Sequence, residues 1–376
     1  MHRSFRLRLT VAAAIAATCA AATATAADED AATAAATPSV PTFVFSAYKG
    51  TWEAFDWNNN VIRTKVSGST RDIGTDIKAR GATTVTLAFA TGSCGSENWS
   101  GADGAATASA NKSKLVSEGA KYIISTGGAG GTFTCSSDSG MSTFINRWNS
   151  SNLVGVDFDI ENGQSSSVIN ALMQRVKTAH ANYPNLRFSF TIATEAVNKG
   201  GTTAVANLGT GKGASDPYNG LDSTGNAVMA AVKSQLGWDG TAAHWPSYVT
   251  IDLMTMDFGD PPQKAFCVVS NSKCQMGQSS LQAAYNQVSV WNMPYSGVEI
   301  TPMIGGNDTT DEKFQLADVD TLSSFALSKG LGGVHYWAWD RDRSCATGAA
   351  KDNCNSMGSG VGTYAYIDRF VDDGLK

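Results

Sequence analysis

The stretch Leu153-Val154-Gly155-Val156-Asp157-Phe158-Asp159-Ile160-Glu161 carries three carboxylic acids at alternate positions. On a β-strand, residues two apart project to the same face, so Asp157, Asp159 and Glu161 share one side and Val156, Phe158 and Ile160 the other. Two carboxylates about 4 Å apart repel by about 4 kcal/mol at an effective dielectric of about 20, so at least one of the three should hold a proton near neutral pH. A carboxyl kept protonated there is what general-acid catalysis requires. Two other readings stand beside this one: a solvent-facing acidic strand edge, and a site for a hard cation such as Mg²⁺ or Ca²⁺. The apolar face of the same strand argues against the edge, because packing it on helices turns the acids inward.

The elements that must hold this strand are legible as an alternation of short runs rich in β-branched and aromatic residues with amphipathic stretches, the mark of βα units around a parallel sheet. Strands are expected over Phe43–Tyr48, Thr83–Ala90, Lys121–Thr126, Leu153–Glu161, Leu186–Ala193, Tyr248–Asp257, Gly297–Gly305 and Gly333–Trp337. Eight strands close a barrel, so the expected fold is a single α/β domain, a (β/α)8 TIM barrel over residues 42–376. Helices are expected near Asp72–Arg80, Lys112–Glu118, Met141–Trp148, Ser165–Ala181, Asn226–Leu236, Ser279–Trp291, Thr310–Ser328 and Thr363–Asp372. In the fourth, Val168, Leu172, Val176 and His180 fall four apart on one face, behind serines able to cap its start. Two Gly/Ser/Asn-rich loops, Thr91–Asn111 and Asn198–Thr224, follow strands and should shape the rim where barrel active sites lie. About 27 residues separate Gly305 from Gly333. A helix takes most of them, so no large insertion fits between the seventh and eighth strands, and the cleft should be open.

The chain begins with basic residues, an alanine-rich apolar run from Leu9 to Ala22 and Ala24-Thr25-Ala26, the pattern of an export signal over residues 1–26. Residues 27–41 read as a flexible Ala/Thr-rich leader. A secreted, extracellular protein is therefore expected. Six cysteines remain beyond the signal, an even count that suggests disulfides in an exported chain. Cys267–Cys274 and Cys345–Cys354 would close short local loops, and Cys94–Cys135 would join two neighbouring loops. A net charge of −5 with 28 Lys plus Arg argues against nucleic-acid or anionic-membrane partners. No cofactor or metal is expected, and a monomer is.

Gly155-Val156-Asp157-Phe158-Asp159-Ile160-Glu161 resembles the DGxDxDxE signature of glycoside hydrolase family 18, the chitinases and their relatives, with Val154 in place of the first Asp. Ser125-Thr126-Gly127-Gly128 is similar to that family's SxGG. Met254-Thr255-Met256-Asp257 is similar to its MxYD, with Met256 where Tyr stands. Thr301 to Asp308 and Tyr336 to Asp342 look like the ends of its seventh and eighth strands in bacterial branches. The resemblance implies a retaining mechanism in which the N-acetyl group of the sugar is the nucleophile, an exception to the two-carboxylate scheme. It implies Glu161 as the acid, Asp159 orienting the acetamido group, Asp157 sharing the proton and Asp257 hydrogen-bonding the same group. Trp337 would form an apolar floor, and Met254, Met256 and Ser125 would complete the site. Tyr48, Trp52 and Trp99, expected after strands one and two, could stack on sugars further along. Chitin or N-acetylglucosamine oligosaccharides are thus the expected partners. An endo-β-N-acetylglucosaminidase on N-glycans and a silent carbohydrate-binding barrel are the rival readings.

Overall fold

The structure is a computed structural model that describes residues 39–161 and 163–376. The expected export signal and nearly all of the leader lie outside the described residues.

Eight parallel strands form a closed barrel: β1 (Val44–Gly50), β2 (Thr84–Ser93), β3 (Lys121–Gly127), β4 (Leu153–Asp159), β5 (Arg187–Ala193), β6 (Val249–Met254), β7 (Val298–Thr301) and β8 (Gly333–Tyr336). Closure is made by β1, which pairs with β8 through Val44 opposite Gly333 and with β2 through Ala47 opposite Val85. The two-residue alternation sorts the side chains. Val156, Phe158 and Ile160 face the helices and join the main apolar core, as do Phe188, Phe190 and Ile192 of β5. Burying one such side chain is worth about 1.5–3 kcal/mol, which fixes the register and turns the intervening residues into the barrel. Those residues are polar: Ser46, Thr86, Ser125, Asp157, Ser189, Thr191, Asp252 and His335 are all buried. Val44, Ile123 and Val154 form a separate small apolar cluster. Val154, at the place of the family's first Asp, is thus a packing residue here.

Among the described residues eight α-helices surround the strands: α1 (Ile73–Ala79), α2 (Gly104–Ser117), α3 (Asp138–Trp148), α4 (Ser166–Asn182), α5 (Ser223–Leu236), α6 (Met276–Trp291), α7 (Leu316–Lys329) and α8 (Ala365–Asp372). α3, α5 and α6 begin three residues earlier than expected, two other helices start further from the sequence reading, and α4 buries a different face. Much of the expected loop 91–111 is ordered differently, since α2 starts at Gly104, where the Asp103 side chain accepts from the Ala106 amide at 2.8 Å. Its alanines favour helix, and the cap decides where it begins. The start of α7 moves to Leu316 because Lys313–Phe314 pairs instead with Gly305–Gly306 in a small antiparallel ribbon. In α4 the buried face is Ile169, Leu172, Met173, Val176 and Ala179, with no side-chain cap from Ser165. Val168 and His180 sit at its flank, where the His180 ring stacks on Tyr248.

The ribbon and α7 are the elements between β7 and β8, so no extra α/β unit stands on that side of the barrel mouth. All three expected disulfides are present, Cys94–Cys135, Cys267–Cys274 and Cys345–Cys354. The first ties the loop after β2 to the loop after β3. Among the described residues no helix is long and apolar enough to cross a membrane.

Candidate active site at the barrel mouth

The carboxyl ends of the strands open into a cleft of about 480 Å³. Asp159 and Glu161 line it, and Asp157 lies one step deeper on the same strand face. The alternation read from the sequence therefore continues past the end of β4 at Asp159. Asp157 is a carboxylate with four hydroxyl neighbours. Its Oδ2 accepts from Ser125 at 2.6 Å and from Tyr48 at 3.0 Å, and its Oδ1 accepts from Ser189 at 2.8 Å and Thr191 at 2.7 Å. Burial pushes its proton affinity up, and those four hydrogen bonds pull it back.

Among the described residues Asp159 has no comparable cage, and its Oδ1 is buried without a partner. Burial raises its carboxyl well above the usual carboxylate range, and the charges of Glu161, Asp157 and Asp252 add to the shift. The Asp159 and Glu161 carboxyls are close enough to be hydrogen-bonded to each other, so each bears on the other's affinity for a proton. Glu161 is also raised, first by desolvation and further by Asp257, against hydrogen bonds from Asp159 and the Ala129 amide. Gly127 and Gly128 let the neighbouring strand approach this pair. Both have left-handed φ, +87° and +78°, and a Cβ on Gly127 would lie 2.0 Å from the Asp159 carbonyl oxygen. The Gly128 amide donates to that same oxygen at 3.1 Å.

An aromatic group forms the other side of the cleft. Trp337 stacks on Phe89 at 5.7 Å and 12°, and Trp52 stacks on Phe89 at 6.3 Å. The sequence reading missed Phe89, although it ends an apolar run on β2. Buried Lys49 fixes the loop that carries Trp52: its ammonium donates to the carbonyls of Gly50 and Glu53 and to Asp340, at 2.9 Å, just beyond Trp337. Two expectations are corrected. Tyr48 is not after the first strand but within β1, 3 % exposed, where it lines the cleft floor with its hydroxyl aimed at Asp157. Trp99 is 1 % exposed and packs on Trp148 at 5.3 Å, away from the cleft. The short strand pair Asn98–Trp99 with Ala102–Asp103 turns it into the core.

Met254, Met256 and Asp257 line the third side. Asp257 Oδ1 accepts from the Thr309 amide at 2.8 Å, which ties the loop after β6 to the loop after β7. Burial raises its carboxyl, and that backbone bond opposes the rise. Asp308 and Asp352, which the sequence reading did not single out, complete the rim.

Beneath Asp157 lies a second charged group, also missed from the sequence. Arg187 on β5 is ion-paired with Glu299 on β7, and His335 Nε2 on β8 lies 3.5 Å from the same carboxylate. Burial acts to raise Glu299, but the charges of Arg187 and His335 outweigh it and hold the carboxyl at about 2. His335 Nδ1 meets Ser46 Oγ at 2.6 Å. Asp252, Glu299 and His335 bring ligand-type atoms within 4.8 Å of one another. The guanidinium of Arg187 already supplies the cation there, so the trio reads as an ion-pair network and not as a metal cage.

No protein-family profile and no curated protein sequence matches the chain. Solved structures do. The catalytic domain of a hyperthermophilic chitinase from Pyrococcus furiosus superposes with a TM-score of 0.63 at 19% identity, over 89% of this chain and 95% of that one. Catalytic-site mutants of active domain 2 of the Pyrococcus furiosus thermostable chitinase, complexed with chito-oligosaccharides, give 0.62 at 18% identity over the same shares. A family GH18 chitinase from Chromobacterium violaceum gives 0.49 at 14% identity, over 89% of this chain and 84% of that one. What this chain shares with the Pyrococcus domains at such identities is the fold, a (β/α)8 barrel like that of chitinase catalytic domains.

Proposed function

We propose that the chain is a chitinase that hydrolyses internal β-1,4 bonds between N-acetylglucosamine units with retention of configuration. The observation that carries this reading is the Asp159–Glu161 pair, both carboxyls raised, at the edge of a cleft faced by Trp337, Phe89 and Trp52. Glu161 protonates the glycosidic oxygen as the bond to the anomeric carbon breaks. The carbonyl oxygen of the sugar's own acetamido group attacks that carbon and forms an oxazolinium ion, with Asp159 holding the acetamido nitrogen. Water, deprotonated by Glu161, then opens the ring and restores the β configuration. Asp157, held by its four hydroxyls, keeps its charge next to the developing cation, and Trp337 supplies the apolar floor. The reading assigns no protein nucleophile: Asp159 is given the acetamido group, and Asp257 Oδ1 accepts from the Thr309 amide. Met254 and Met256 give a polarizable, weakly accepting wall where the acetamido group would lie.

Endo-cleavage is supported by the absence of an α/β unit between β7 and β8 among the described residues. The disulfides fit an oxidising, extracellular location. The test is turnover of chito-oligosaccharides followed by NMR. A β anomer should appear first, and partly deacetylated chitosan should be cut only where an acetylated unit supplies the new reducing end. An α anomer, or efficient cleavage after glucosamine, would overturn the mechanism. Turnover of a high-mannose glycoprotein with none of chitin would replace chitinase by an N-glycan endoglycosidase. Binding without turnover of either would leave a lectin.

A further inference from the structure

Asp252, on β6, is 1 % exposed and stands between the acid column and the ion-pair network. Its Oδ2 lies 2.6 Å from Thr301 Oγ1, 3.1 Å from the Tyr48 hydroxyl and 3.2 Å from Thr191 Oγ1, while its Oδ1 has no partner. Tyr48 and Thr191 are the same hydroxyls that reach Asp157, and they lie 3.0 Å from each other. Each has one proton to give. If both aspartates were ionised, two protons would serve four contacts to carboxylate oxygens, and two of those contacts would set lone pair against negative charge in a dry interior. A proton on Asp252 Oδ2 fills one of these two contacts and takes the negative charge out of the other. It is donated to Tyr48 or Thr191, and both hydroxyls then turn their own protons to Asp157.

We infer that Asp252 is a positioning residue which, as the neutral acid, hands two hydroxyl donors to Asp157 and so keeps the mobile proton of the site on Asp159 and Glu161. The groups that face it set its titration. Glu299 and Thr301 face it from β7, His335 from β8, Asp157 and Asp159 from β4, Tyr48 from β1 and Thr191 from β5, with Arg187 behind Glu299. Burial raises its carboxyl to about 7, His335 opposes the rise, and Glu299 and Asp157 add to it. Below that pH the cage around Asp157 is complete. Above it a third negative charge enters the column and competes for the hydroxyls, so the activity should fall on the alkaline side.

This inference rests on the proposed hydrolase reading for its kinetic part only. Asp252→Leu should lower kcat on soluble chito-oligosaccharides by about 10- to 100-fold with KM little changed, the scale of a misplaced catalytic group. Asp252→Asn, which keeps a donor in the same place, should recover most of that loss and move the alkaline limb of the kcat profile to higher pH. Infrared difference spectra of wild type against Asp252→Asn should show a protonated-carboxyl band at pH 6 that is gone at pH 8, whether or not any substrate is turned over. An Asn variant as slow as Leu, a Leu variant as fast as wild type, an unmoved alkaline limb or no such band at pH 6 would each overturn the inference. If wild type turns over no chito-oligosaccharide, the functional reading falls, and the infrared result alone decides the state of Asp252.

Discussion

The barrel holds two groups of carboxylates a few residues apart along its axis, and they bind protons in opposite ways. Glu299, deep in the barrel, is as buried as Asp159 near the mouth. Yet Glu299 is held at about 2, while Asp159 is driven well above its ordinary value. The difference is the partner. Glu299 has Arg187 and His335, whose charges outweigh its desolvation, whereas Asp159 meets Glu161, Asp157 and Asp252 and no cation. Burial alone makes a carboxyl basic, a cation beside it makes the same burial structural, and leaving the cation out makes it chemical. The lower group is built to stay charged, the upper to carry a proton.

The largest effect should come from removing the proton and keeping the shape. Glu161→Gln should lower turnover of chito-oligosaccharides by about 10² to 10⁴, the usual contribution of general-acid catalysis, with the thermal midpoint unchanged. Near wild-type turnover would mean that the acid lies elsewhere. The converse change belongs in the lower group. Arg187→Met should leave Glu299 buried without its main cation and cost about 3–5 kcal/mol of stability, as broken buried pairs do. Chemical denaturation would measure it, and a midpoint equal to wild type would erase the distinction between the two groups.

A smaller effect is expected from pH. Asp252, Glu312 and Asp342 have carboxyls raised to about 7, in each case chiefly by burial. Unfolded carboxyls titrate at about 4, so the stability these three contribute is full below that pH and is lost as the pH rises through about 7. Glu299, depressed to about 2, works the other way: its contribution is present above about 4 and is lost as the pH falls toward 2. Calorimetric midpoints should therefore be highest in mildly acid solution and decline from pH 5 to pH 8. A flat profile over that range would show that the raised carboxyls are screened in solution.

The sequence by itself determined the local geometry. Alternation in Val156 to Glu161 set which side chains face the barrel and which the helices, because strand periodicity is two and only one face can be apolar on the helix side. It likewise gave the eight strands to within a few residues, and the three cysteine pairs from their even count and spacing. The resemblance of short motifs in order brought Ser125, Met254, Met256, Asp257 and Trp337 to the same end of the barrel, where the structure also has them beside the acids. What lay out of reach was decided by closure. Tyr48 meets Asp157 across 109 residues and Asp252 across 204, distances over which no periodic pattern carries information. Phe89 lies on β2 and Trp99 ten residues on, in the short strand Asn98–Trp99, and only the turn made by that strand's pairing and the start of α2 sent one to the cleft and the other to the core. Arg187 was one basic residue at a strand start until the barrel placed Glu299 and His335 against it. The sequence could show which residues are acids; which of them carries a proton depends on the charges that tertiary packing sets beside each one, because in a dry interior those charges outweigh the intrinsic chemistry of the side chain.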